Sequence, residues 1–171
     1  MRNHLVLTVL CDDRSGIVDR LSDVISQHHG LWVESRMASL AGKFAGLLHV
    51  NAPAAQIAAL TAALQALPDI TVHVESAANV AVADATTVSV ELLAQDDVGI
   101  VHQLSGALMR LGVSVDALET EVEEAAMGGG VLFKARATLS MPPDGDLTAL
   151  SQRLHAVADA LAADIHIQAD L

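Results

Sequence analysis

The sequence predicts an α+β fold: two tandem ferredoxin-like βαββαβ units, each a four-stranded antiparallel sheet with two helices on one face. Three observations lead there. A ten-residue motif recurs: Asp13-Arg14-Ser15-Gly16-Ile17-Val18-Asp19-Arg20-Leu21-Ser22 aligns with Asp96-Asp97-Val98-Gly99-Ile100-Val101-His102-Gln103-Leu104-Ser105, 83 residues later. Each copy follows an apolar run, Leu5 to Leu10 in one half and Val88 to Leu93 in the other. Each precedes a helical pattern and then a glycine-led extended stretch, Gly30 to Glu34 or Gly112 to Asp116.

The elements of the first copy follow in order. Residues 4–10 have strand character. From Ser15 to His28, the residues Ile17, Val18, Leu21, Val24, Ile25 and His28 recur at helical spacing. Leu31 to Ser39 and Phe44 to Val50 read as strands around a turn at Ala41-Gly42-Lys43. Pro53 opens a helix with Ile57, Leu60, Leu64 and Leu67 on one face, and Pro68 stops it. Ile70 to Glu75 alternates as the last strand. The second copy predicts helices from about Val98 to Leu111 and about Asp146 to Ala162, then a strand over Ile165 to Gln168. The order matches the split βαβ arrangement. The expected domains are residues 1–76 and 86–171, joined by an Ala-rich linker at 77–85.

Composition narrows the function. The 171 residues are 52% hydrophobic, enough for a core. Asp, Arg, His and Gln interrupt every apolar run before membrane-spanning length. The apolar run after Met1-Arg2-Asn3-His4 has no small-residue cleavage site and reads as a strand, not a signal peptide. The single cysteine excludes an internal disulfide and fits a reducing, cytoplasmic setting. Nine Lys and Arg against 21 Asp and Glu give a net charge of -12, which repels phosphate backbones. Trp32, Phe44 and Phe133 are the only aromatics, so no base-stacking platform exists. Direct nucleic-acid binding is not expected.

The strand-to-helix loop of each copy carries the most suggestive chemistry. A helix start presents unpaired N–H groups and partial positive charge to a carboxylate. Gly16 and Gly99 allow close approach of a ligand or of neighbouring backbone, and Asp13 and Asp96 would accept from an ammonium group. The plainer reading is that Asp13 or Ser15 caps the helix while Gly16 packs helix on sheet.

Asp13-Arg14-Ser15-Gly16-Ile17-Val18, Gly30 and the stretch Glu34 to Phe44 resemble the ACT domain, and in particular the two-ACT glycine cleavage system transcriptional repressor family. Ser15 and Val98 stand where the ACT pattern usually has proline, and the second loop lacks an arginine matching Arg14. The resemblance implies a non-enzymatic regulator. It implies an amino-acid ligand, such as glycine, held by Asp13, Arg14, Ser15, Gly16, Ile17, Asp96, Gly99 and Ile100, and a transcription regulator as protein partner. A sensor acting on a metabolic enzyme is the alternative. No cofactor is implied.

Other constellations point to simpler roles. The assumed topology brings His4, His49 and His73 toward one end of the first sheet, but a metal site is not expected. Asp12-Asp13 and Asp96-Asp97 read as solvated charges, since adjacent loop residues rarely converge. Cys11 beside acidic residues is an unfavourable nucleophile. No converging acid, base and nucleophile is visible, so no catalytic residue is expected. Glu119 to Glu124 reads as the polar face of an exposed strand, or as a docking surface for a basic partner. Gly128-Gly129-Gly130 reads as a flexible hairpin. An uncovered sheet face or edge predicts a homodimer.

Overall fold

In the computed structural model, residues 1–77, 85–125 and 129–170 are described. The chain divides into two compact units, Met1–Ala81 and Val82–Leu171. The linker expected at 77–85 falls mostly outside the described residues, as does Gly128 of the glycine triplet; Ala77 is the last residue of a strand.

The first unit runs β1 (Arg2–Asp12), α1 (Ile17–Gln27), β2 (Leu31–Leu40), β3 (Lys43–Pro53), a 3₁₀ turn (Ala54–Gln56), α2 (Ile57–Gln65) and β4 (Ile70–Ala77). Its sheet order is β2-β3-β1-β4. The β1 strand pairs antiparallel with both neighbours, setting Leu7 opposite Leu48 and Val74. Alternation along β1 puts Leu5, Leu7, Val9 and Cys11 on one face. There they pack with Leu48, Val50, Ile70 and Val72 of the sheet and with Ile17, Leu21, Ile25, Leu60 and Leu64 of the helices. Both helices therefore cover the same face. Ile17, Leu21 and Ile25 recur every four residues, which keeps one stripe of α1 inward. Burying each such side chain stabilises the fold by roughly 1.5–3 kcal/mol.

A close approach ends α1. The Gly30 N–H donates to the Ile25 carbonyl at 2.8 Å. A Cβ on Gly30 would lie 2.7 Å from Ile25 Cγ2 and 3.3 Å from Val50, so only glycine fits between helix and sheet.

The second unit repeats the order: β5 (Thr86–Gln95), α3 (Ile100–Met109), β6 (Ser114–Glu124), β7 (Val131–Met141), α4 (Leu147–Ala160) and β8 (Asp164–Asp170). The sheet order β6-β7-β5-β8 matches that of the first unit. Val88, Val90 and Leu139 pack with Leu104, Leu108, Leu150 and Leu154. The outer strands β2 and β6 each carry a bulge, between Trp32 and Glu34 and between Val115 and Ala117. The extra residues, Val33 and Asp116, are 83 positions apart, as in the repeat.

The sheet faces away from the helices differ. In the first unit, Leu47 and Leu10 are about half exposed beside polar neighbours. In the second, alternation from Ala137 and Ala135 puts Glu119, Glu121 and Glu123 of β6 opposite Arg136, Lys134 and Leu132 of β7. Lys134 pairs with Glu121 and Glu123, and Arg136 pairs with Glu91 and Glu121. The acidic segment is thus the polar face of a strand, half neutralised by two cations of its own sheet.

Candidate functional site

Each strand-to-helix loop is built the same way. Gly16 precedes α1 with φ 86° and Gly99 precedes α3 with φ 91°, both in the left-handed region that disfavours a Cβ. The first helical bonds run from the Arg20 N–H to the Gly16 carbonyl and from the Gln103 N–H to the Gly99 carbonyl, each 3.0 Å. No side chain caps either helix. By contrast, the Asp146 carboxylate caps α4, accepting from the N–H groups of Thr148 at 2.8 Å and Ala149 at 3.2 Å.

This corrects two expectations. Neither Asp13 nor Ser15 caps α1, because the left-handed turn at Gly16 aims the preceding chain away from the helix N–H groups. Nor does Gly16 pack helix on sheet: a Cβ there would meet nothing within 4 Å, and the same holds at Gly99. These glycines are required by backbone conformation, not by a close neighbour.

The loops are fastened from outside. The Asp13 N–H donates to the Gly42 carbonyl in the β2–β3 turn, and the Asp96 N–H donates to the Val131 carbonyl, each at 2.9 Å. In the first loop Arg14 reaches the Asp69 carboxylate at 3.3 Å, and Arg20 reaches the Pro68 carbonyl at 3.2 Å. The guanidinium of Arg14 is therefore engaged with the α2–β4 turn. Among the described residues the second loop has no such side-chain anchor: Asp97 stands at the place of Arg14 and accepts from the adjacent Val98 N–H at 2.7 Å.

Asp13, Arg14, Ser15 and Gly16 are exposed together, as are Asp96 and Gly99. Ile17 and Ile100 are each 3% exposed, so their side chains belong to the cores and only their backbone borders the loop. At the loop's edge, Asp12 bonds Lys43 across the β1–β3 pair. That hydrogen bond, helped by the ammonium charge, holds the Asp12 carboxyl below its ordinary value, and the same bond raises Lys43.

Two of the three histidines considered above meet. His4 Nδ1 and His49 Nε2 lie 2.8 Å apart, one ring donating and the other accepting. His73 lies opposite Thr8 and bonds Glu75 instead. Among the described residues, no group of three or more His, Cys, Asp or Glu converges as a metal would require. Cys11 is buried in the first core.

The two βαββαβ units carry the same glycine-initiated helix at the same place, directly after the first strand of each unit. Residues 3–75, nearly the whole of the first unit, match the family model of the ACT domain, and the second unit repeats the first unit's element and strand order. ACT domains are regulatory modules. Among solved structures, an unknown protein from Galdieria sulphuraria shares 26% identity over 100% of both chains, with a TM-score of 0.84. A candidate glycine cleavage system transcriptional repressor shares 18% identity over 99% of this chain and 98% of its own, with a TM-score of 0.76. At that identity the second likeness shows the fold. No curated protein sequence matches the chain.

Among the described residues, no helix is long and apolar enough to cross a membrane.

Proposed function

We propose that the protein is a non-enzymatic, cytoplasmic regulator that senses a small amino acid, such as glycine, and modulates a transcription regulator by protein contact. Two domains, 1–76 and 86–171, are joined by the linker at 77–85 in this reading, and the chain acts as a homodimer. The observation that carries it is the pair of uncapped helix starts, α1 and α3, each entered through a left-handed glycine. Their first-turn N–H groups suit an α-carboxylate, and the exposed Asp13 and Asp96 suit the ammonium group. The net charge of -12 favours a protein target over DNA itself. The likeness to a candidate glycine cleavage system transcriptional repressor supports a role in transcription control.

Isothermal titration against glycine, serine and other amino acids tests the sensing step. Saturable binding that weakens at least tenfold in Asp13→Asn, with circular dichroism unchanged, supports a site on the first loop. Absence of binding to every amino acid overturns the sensor reading. Affinity capture with and without the bound amino acid distinguishes a transcription regulator from a metabolic enzyme as the target.

A further inference from the structure

The nine cations of this chain are few enough to follow one by one. Arg14 pairs with Asp69, Arg36 with Glu34, and Lys43 with Asp12. Lys134 and Arg136 pair with glutamates of their own sheet. Arg2 and Arg20 donate to backbone carbonyls. Arg110 and Arg153 remain. Among the described residues, neither has an ion pair or a side-chain hydrogen bond, and both line one groove between α3 and α4.

The rest of that groove holds no Asp, Glu or Lys. Gly106, Ala107, Met109 and Val157 line it, with His102 and Gln103 beside them. Gly106 leaves it open, since nothing lies within 4 Å of where a Cβ would stand. Met109 is 74% exposed, although it is a large apolar side chain. No carboxylate is among the lining residues. In a chain of net charge -12, this is a local reversal of sign over an apolar floor.

We infer that this groove docks an acidic amphipathic helix of a partner protein, with carboxylates at Arg110 and Arg153 and apolar side chains over Gly106, Ala107, Met109 and Val157. Two helices side by side offer a groove that a third helix's ridge fills. Covering two unpaired guanidinium groups is unfavourable unless the occupant brings negative charge. A nucleic acid is the poorer match, because two cations neutralise little of its charge and the apolar floor offers phosphates nothing. The inference rests on the protein-contact part of the proposed function and uses neither loop.

The test is fluorescence anisotropy of the full chain with a labelled synthetic peptide, designed as a helix with leucines on one face flanked by glutamates. A scrambled peptide of the same composition and a short labelled DNA duplex serve as comparisons. Saturable binding of the designed peptide is expected. It should weaken about tenfold or more in the double variant Arg110→Glu/Arg153→Glu and severalfold in Met109→Ala. Arg36→Glu, the same substitution at a single arginine elsewhere, should leave it unaltered. These side chains are exposed, so circular dichroism should not change. No saturable binding, equal binding by the double variant or the scrambled peptide, or tighter binding of the duplex overturns the inference. Amino-acid titration in parallel keeps the two readings apart. Peptide binding without amino-acid binding sinks only the sensor, and the converse sinks only the groove.

Discussion

The guanidinium of Arg14 meets the carboxylate of Asp69 at 3.3 Å, joining the first strand-to-helix loop to the turn after α2 across 55 residues of sequence. Their side chains are 41% and 74% exposed, which places the pair in solvent screening. Arg14→Ala should therefore lower stability by no more than about 1 kcal/mol in urea unfolding. A larger loss would mean that the bond from Arg14 holds the loop's whole conformation.

Gly16 and Gly30 should respond to alanine for different reasons. Gly16→Ala meets open space and costs only backbone strain, about 1–2 kcal/mol. Gly16→Asn should recover part of that loss, since asparagine tolerates the left-handed region. Gly30→Ala drives a methyl group against the Ile25 side chain and carbonyl, and should cost more than Gly16→Ala. Chemical denaturation of the three variants side by side checks the order.

The Asp12–Lys43 bond gives stability a small dependence on pH at both extremes. Asp12 is lowered below 3.8 when folded, so its contribution is present above 3.8 and lost as pH falls through the folded value. Lys43 is raised above 10.5, so its contribution is present below 10.5 and lost as pH rises through the folded value. Lys43→Met should make the melting temperature fall less steeply than the wild type's on acidification below about pH 4. Parallel acid limbs in the two proteins would show that this bond does not persist in solution.

Core truncation should dominate every surface change. Leu21 and Leu154 are fully buried in the first and second units. Leu21→Ala or Leu154→Ala should each destabilise its own unit by about 2–5 kcal/mol, read by thermal unfolding.

Dimerisation is the remaining expectation. Analytical ultracentrifugation at micromolar concentration should give twice the monomer mass, and a single monomer species would refute the homodimer.

Much of the fold was legible because two independent periodicities agreed with a repeat. Leu5, Leu7 and Val9 alternate, Ile17, Leu21 and Ile25 recur every four residues, and both patterns return after Val88 and Ile100. Strand ends were less so: β1 reaches Arg2 and Asp12 because ladder bonds to β3 extend it beyond its apolar run. The loop was located correctly, but its capping was misread. Asp13 and Ser15 are favoured cap types, yet a glycine in the left-handed region directly before Ile17 displaces them. The histidine trio had the right parity and the wrong register. His49 lies opposite Val6 and His73 opposite Thr8, so only His49 reaches His4. Arg110 and Arg153 drew no notice, because a cation's lack of a partner is a property of the folded neighbourhood and leaves no mark on local sequence.

The bulges at Val33 and Asp116 constrain how copies of this chain can associate. Both interrupt outermost strands, and a bulge twists an edge and breaks its even row of donors and acceptors. A strand approaching β2 from outside finds a regular ladder only from Glu34 to Leu40. An incoming strand must stop at the bulge or carry a complementary one. Indefinite sheet growth along that edge is thereby blocked, while a short, closed pairing of two edges remains open.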